Sequence, residues 1–136
     1  MSGRSIRDLM TRHPICCTPD ESVVECARVM EQHDLGMLPV VESRETRRLL
    51  GVITDRDLCL EVIAGGLNPN DVTVEECMTD ELYTVREGDT VERALEVMDE
   101  ERLRRLPVID DHGALVGILT HHDVEPVVEE HSPHPR

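Results

Sequence analysis

Gly51-Val52-Ile53-Thr54-Asp55-Arg56-Asp57 and Gly117-Ile118-Leu119-Thr120-His121-His122-Asp123 carry one pattern, G-h-h-T-x-x-D with h apolar, in a chain of 136 residues. The match extends upstream. Leu35-x-x-Leu38-Pro39-Val40 recurs as Leu103-x-x-Leu106-Pro107-Val108, Val29-Met30 as Val97-Met98, Val23 as Val91 and Met10-Thr11 as Met78-Thr79, all at an offset of 68. Across the G-h-h-T-x-x-D stretch the offset is 66, so one two-residue insertion in the loop from Ser43 to Arg48 reconciles the whole register. A single gap over so many positions marks a duplication of a unit of about sixty residues.

Local signals order the elements within each copy. Ser5 and Asp8 form a helix-start pair, so residues 5–11 read as a short helix ended by Pro14. Ile15 to Cys17 is strand-like and Pro19-Asp20 is a turn. From the N-cap Ser22, Val23, Ala27 and Met30 recur at helical spacing to about His33, with Cys26 and Val29 beside them. Met37 to Val41 and Leu49 to Thr54 are β-rich and joined by the polar loop Glu42 to Arg48. A second helix opens at Thr54-Asp55, runs through Leu58, Val62 and Ile63, and stops at Gly65-Gly66. The second copy follows suit. Thr73-x-x-Glu76 is a capping box, Leu82 to Val85 a strand, and Val91, Leu95 and Met98 a helical stripe. Arg105 to Ile109 and Ala114 to Leu119 form a hairpin around Asp111-His112-Gly113, and Thr120 opens a helix in which Pro126 either sits within the first turns or shortens it.

The fold class is therefore α/β (α+β), two βαββα repeats each preceded by a short helix. A unit this small buries one face of its sheet, so the two repeats are expected to pack sheet to sheet with internal pseudo-twofold symmetry. Residues 4–66 form repeat 1, 67–72 a linker, 73–128 repeat 2 and 129–136 a disordered tail.

Composition excludes several functions. Acidic residues number 29 against 14 basic ones, a formal charge of -15, and Tyr83 is the single aromatic residue. A nucleic-acid binder needs a basic surface and a base-stacking platform needs aromatics. No apolar run approaches the ~18 residues of a membrane span, and the N-terminus lacks a signal-peptide core, so the expected setting is cytoplasmic. The five cysteines (Cys16, Cys17, Cys26, Cys59 and Cys77) are odd in number and form no C-x-x-C, and all are read as reduced. A redox sensor on the vicinal Cys16-Cys17 is the sharper reading, but nothing nearby in the sequence is placed to activate a thiol.

The T-x-x-D stretches carry the chemistry. At a strand-to-helix junction, unpaired N–H groups and the helix dipole favour an anion. The Thr hydroxyl can donate to a phosphate or ribose oxygen. The Asp one turn on suits a vicinal diol, as in dinucleotide folds. The alternative is that Thr54 and Thr120 are N-caps and the Asp residues simply occupy the first turn; two copies in one frame favour the ligand. No nucleophilic triad, phosphate-binding glycine loop or metal-spaced cluster occurs, so neither an enzyme nor a metal site is expected. Adjacent His121 and His122 rarely aim at one ion, and His131 and His134 belong to the tail.

The order M-T, amphipathic helix, L-x-x-L-P-V, hairpin, G-h-h-T-x-x-D resembles the CBS domain, and the duplication resembles a CBS pair, or Bateman module. The resemblance covers residues 4–128, and stand-alone bacterial two-repeat members of the mycobacterial hypoxic-response type are the nearest look-alikes. It implies that Thr54 and Asp57 face Arg104, Arg105 and Leu106, while Thr120 and Asp123 face Gly36, Met37 and Leu38. Ile15, Cys16 and the run holding Tyr83 would flank an adenine. Two guanidiniums suit a phosphate, which makes the Asp57 site the stronger one. Those arginines, with Arg102, read alternatively as a solvated edge paired with Glu100 and Glu101. The charge of -15 favours AMP over ADP or ATP. The function implied is a regulatory adenosyl-ligand sensor with no required cofactor, a homodimer with an unknown protein partner. The alternative is a ligand-free dimerising scaffold.

Overall fold

The computed structural model describes residues 5–80 and 82–125; Pro126, the tail 129–136 and its histidines lie outside the described residues. The chain divides into two compact units, Ile15–Leu82 and Met1–Pro14 together with Tyr83–Arg136. The architecture is mixed α/β, as the repeat pattern predicts.

In the first unit, the Ser22 hydroxyl accepts the Glu25 N–H and caps helix α2 (Val23–His33), numbered after α1 (Ile6–Leu9) of the other unit. The cap satisfies a donor that the helix itself leaves unpaired. Val23, Cys26 and Met30 face the core. Ala27, placed on the stripe by its spacing, is exposed, because positions i, i+3 and i+7 already fill the narrow inward face. The helix ends where Asp34 turns left-handed, φ 56, and the Leu35 N–H reaches back to the Met30 carbonyl at 2.8 Å. Strands β2 (Met37–Val41) and β3 (Leu49–Thr54) pair antiparallel with a bulge at Val40/Val41. The expected strand Ile15–Cys17 is reduced to Cys17, bridged in parallel to Val40. The second helix opens as α3 (Asp55–Asp57) and continues as a π-helix over Leu58–Ile63, not as the plain α-helix its apolar spacing predicts. Its wide turns are closed by bonds such as Ala64 N–H to the Cys59 carbonyl, 2.9 Å. Helix α4 (Val74–Cys77) starts at the predicted Thr73–Glu76 capping box.

In the other unit, the Ser5–Asp8 capping box starts α1 as expected, but the helix stops at Leu9. Thr11–Arg12 become strand β1, on Ile118 and Gly117 of β6 (Leu115–Thr120), so the predicted helix to residue 11 is too long. Residues 11 and 12 gain sheet hydrogen bonds that an isolated short helix does not offer. Strand β4 (Val85–Arg86) is shorter and lies later than predicted, and pairs in parallel with β5 (Arg105–Ile109). Helix α5 (Val91–Glu101) buries Val91, Ala94, Val97 and Met98. The sheet order is β1-β6-β5-β4, and the hairpin turns at Gly113, φ 84. A helix follows over 121–125. Each unit has its own apolar cluster, built on Leu38, Val40 and Ile53 in one and on Leu106, Val108 and Leu119 in the other.

The compact units are cut differently from the sequence repeats. The Met10-Thr11 segment leads repeat 1 in sequence but completes the sheet of repeat 2. The Met78-Thr79 segment leads repeat 2 but completes that of repeat 1: Val52 and Thr79 exchange two main-chain hydrogen bonds of 2.9 and 2.8 Å. This docking explains the repeated glycine. A Cβ on Gly51 would lie 2.5 Å from the Thr79 carbonyl oxygen, and one on Gly117 would meet the Met10 thioether and, at 3.0 Å, the Thr11 carbonyl oxygen. Gly51→Ala is expected to cost about 1–3 kcal/mol, because main chain must move. Gly117→Ala should cost less, since a flexible thioether gives way first. Urea unfolding of the two variants tests this, and equal losses would contradict it.

Candidate ligand-binding site

Thr54 ends β3 in extended conformation, φ -118 and ψ 163, and its neighbour opens the helix. The Thr54 Oγ1 accepts the Asp57 N–H at 3.0 Å, and Asp57 Oδ2 accepts the Thr54 N–H at 2.9 Å. Thr120 and Asp123 repeat this geometry at 3.1 and 2.9 Å. Both T-x-x-D stretches are thus reciprocal capping boxes, and all four residues are half-buried. The capping reading describes their local structure. It also leaves each carboxylate one oxygen that the box does not use, and that oxygen is the group a ribose diol would require.

The two carboxylates differ. Asp57 also receives the Thr79 hydroxyl, 3.3 Å from Oδ1 and 3.4 Å from Oδ2. Asp123 accepts no further hydrogen bond among the described residues; Thr11, at the place equivalent to Thr79, pairs through its backbone with Ile118. Sequence reasoning assigned Thr79 no role, although Met78-Thr79 stood out in the repeat register. Its relevance follows from the exchanged segment, which local sequence does not display.

Each L-P-V strand begins beside the helix start of its own repeat. Met37 is in register with Thr54, and the Asp55 N–H donates to the Gly36 carbonyl at 3.0 Å. Arg105 is in register with Thr120, and the His121 N–H donates to the Arg104 carbonyl at 2.7 Å. These bonds, with the capping bonds, occupy first-turn donors that the helix-start argument reserved for phosphate. An anion at either place therefore needs cationic side chains. Arg104 and Arg105 are exposed and form no ion pair among the described residues, so the expected partnership with Glu100 and Glu101 is not formed there.

The remaining predicted residues divide by exposure. Leu38 and Leu106 bury their side chains in the two cores, leaving only main chain to meet a ligand. Gly36 and Met37 are half-buried. Ile15 is 38% exposed, Cys16 is buried with its carbonyl 3.4 Å from Arg44 Nη1, and half-buried Tyr83 packs on its unit's core. His122 Nδ1 lies 3.6 Å from Glu125 Oε1, and buried His121 Nδ1 has no hydrogen-bond partner. Among the described residues no group of three or more His, Cys, Asp or Glu side chains is placed to hold a metal ion.

The CBS domain model matches residues 6–64 and again 74–130. The chain belongs to the CBS-domain family. Hypoxic response protein 1 of Mycobacterium tuberculosis is 37% identical over 126 residues, spanning 93% of this chain and 86% of that protein. Solved CBS structures superpose closely. Hypoxic Response Protein I with two coordinated zinc ions gives a TM-score of 0.81 at 35% identity, covering 92% of this chain and 99% of that one. The CBS domain pair of protein MJ0100, in complex with 5'-methylthioadenosine and S-adenosyl-L-methionine, gives 0.79 at 27%, covering 95% and 98%. CBSX2 in complex with AMP gives 0.78 at 28%, covering 94% and 98%.

Removing either cap hydroxyl should weaken the ligand-free protein. Thr54→Ala and Thr120→Ala are each expected to lose about 1 kcal/mol, measured by urea unfolding. A loss near zero for both would show that the boxes contribute nothing to folding.

Proposed function

We propose that this CBS pair is a regulatory sensor of an adenosine-containing ligand, with no catalysis of its own. The observation that carries the reading is the doubled, half-buried Thr–Asp box at a strand end, each Asp keeping an oxygen outside the box. Support comes from CBS neighbours at 27% and 28% identity solved with adenosyl compounds. In this reading Thr54 and Asp57 act with Arg104, Arg105 and the main chain at Leu106. Thr120 and Asp123 act with Gly36, Met37 and the main chain at Leu38. Ile15, Cys16 and Tyr83 flank the base.

The ligand we favour is AMP. A protein of charge -15 repels polyanions, although exposed fields are screened within roughly 8–10 Å at physiological salt. A pair of guanidiniums recognises a monophosphate bidentately. In this reading the two guanidiniums serve the Asp57 site, which is assigned the phosphate-bearing ligand. Binding biases whichever arrangement of the protein holds the ligand better, and that bias is the signal. The reduced cysteines and the charge suit a cytoplasmic setting.

A second reading, a dimerising scaffold, is favoured by a separate observation. Helix α2 and the π-helix border an open groove of about 500 Å³ whose walls include Val24, Ala27, Leu58 and Ile63. Ile63 is 75% exposed, with Leu60 and Leu67 near half. Apolar side chains so placed mark an interaction face, and a second copy of the chain is its simplest occupant. Both readings hold together if the ligand acts on a dimer.

Thermal melting with AMP, ADP, ATP, NAD and S-adenosylmethionine tests the sensor. At least one should raise the melting temperature; saturation at 100 times Kd corresponds to about 2.7 kcal/mol. No shift at millimolar ligand would leave only the scaffold. Asp57→Ala should weaken AMP binding more than Asp123→Ala, and equal effects would overturn the assignment of the phosphate to the Asp57 site. Ile63→Asp is expected to shift the sedimentation coefficient to that of a monomer; an unchanged value would remove this groove from the interface.

A further inference from the structure

Asp57 and Thr79 lie in the same unit, Ile15–Leu82. The main chain of Thr79 is held twice by Val52: its N–H donates at 2.8 Å and its carbonyl accepts at 2.9 Å. A β-branched residue on a fixed backbone has few rotamers left. Its hydroxyl is turned to the Asp57 carboxylate, 3.3 Å from Oδ1 and 3.4 Å from Oδ2, while the residue itself stays exposed. The bond uses the only proton of the hydroxyl, because an ionised carboxylate can only accept. Thr79 Oγ1 therefore keeps lone pairs, and no donor, for whatever approaches from outside.

Thr79 Oγ1 and Asp57 Oδ1, the oxygen that the capping box does not use, thus form an acceptor-only pair 3.3 Å apart at the end of β3. Such a pair complements two donors on neighbouring atoms. It does not suit an anion, and the exposed carboxylates of Asp80, next to Thr79, and Asp55, next to Thr54, add to the repulsion. In an adenosine nucleotide the phosphate offers mainly acceptors, and the exocyclic amine carries both of its protons on one nitrogen. The ribose carries two hydroxyls on adjacent carbons. The duplication supplies a control: Thr11 stands at the equivalent place, yet Asp123 accepts no hydrogen bond beyond its capping box among the described residues.

We propose that Thr79 is a specificity-determining residue of the Asp57 site, with its Oγ1 accepting one hydroxyl of a ribose diol while Asp57 Oδ1 accepts the other. The inference rests on the sensor reading and adds which part of the ligand faces this place: the sugar, not the phosphate, is turned to Thr79. A ligand lacking either hydroxyl leaves an acceptor that has lost water and gained no donor, and such a group costs more than the made bond contributes. The Asp57 site therefore selects ribonucleotides over their deoxy analogues, with each of its two oxygens responsible for one hydroxyl.

Titration calorimetry of the full-length protein with AMP, 2'-deoxy-AMP and 3'-deoxy-AMP tests this. Wild type should bind AMP about tenfold more tightly than either analogue. Thr79→Val keeps the shape and removes the hydroxyl. Its preference over one analogue should vanish, and its preference over the other should persist, since Asp57 still reads that hydroxyl. Thr79→Ser should restore both preferences, and Thr11→Val should change neither. A structural loss in Thr79→Val would weaken all three ligands alike and leave their ratios unchanged, which would overturn the role. Loss of both preferences together would also overturn it, by making Thr79 only a support for Asp57. So would a wild type that binds the deoxy analogues as tightly as AMP. In each of these cases AMP is still bound and the sensor reading stands; a wild type that binds none of the three overturns both. Thr79→Ala repeats the comparison if the valine variant does not fold, and the wild-type ratios can overturn the assignment by themselves.

Discussion

Two main-chain hydrogen bonds between Val52 and Thr79, made directly over Gly51, set much of what this protein can do. A sheet edge presents unpaired N–H and C=O groups, and an uncovered edge is a liability. Here the cover is the segment leading the next repeat, and close approach demands a residue without a Cβ. The same arrangement recurs where Thr11 meets Ile118 beside Gly117. Each repeat therefore depends on its sister for an edge, although each compact unit keeps its own apolar cluster. The exchange also delivers the Thr79 hydroxyl to the Asp57 carboxylate.

In the proposed reading, the Thr–Asp boxes share one set of atoms between a structural role and a binding role. The capping bonds fix the carboxylate rotamer before any ligand arrives, and a group held in place loses less entropy on binding than a free one. They also occupy first-turn N–H donors, so the proposed phosphate recognition falls to side-chain cations and not to the helix start. That is why Arg104 and Arg105, exposed and unpaired among the described residues, weigh so heavily in a chain with twice as many acidic as basic groups. Thr79 further distinguishes the two boxes: Asp57 is oriented by a third donor and Asp123 is not. Duplication has given this CBS pair two Thr–Asp boxes of one plan and unequal hydrogen bonding.

Comparing the repeats also separates packing from chemistry elsewhere. Positions 17, 26 and 77 are thiols where their counterparts are Val85, Ala94 and Leu9, so the repeated backbone accepts either a thiol or an ordinary apolar side chain there. Likewise Ala27 sits on the exposed side of α2 beside the groove, whereas its counterpart Leu95 packs on the core. Two copies of one backbone thus bury different sets of side chains, and the exposed apolar residues Leu60, Ile63 and Leu67 all belong to the unit Ile15–Leu82.

The sequence by itself determined the duplication, the strand bounds 37–41, 49–54 and 105–109, the caps at Ser22, Thr54, Thr73 and Thr120, and the family, because period, register and capping are local and leave their signature in adjacent residues. It misplaced the end of α1, overextended the strand at Ile15–Cys17 and missed the π-helical stretch Leu58–Ile63, since short segments take their conformation from whatever edge they meet. Tertiary structure alone decided which repeat each Met-Thr segment completes, that Leu38 and Leu106 turn their side chains into the core and that Thr79 reaches Asp57. Those outcomes rest on contacts between residues distant in the chain or brought together by a turn, and hydrophobic pattern specifies that a side chain is buried without specifying its neighbour.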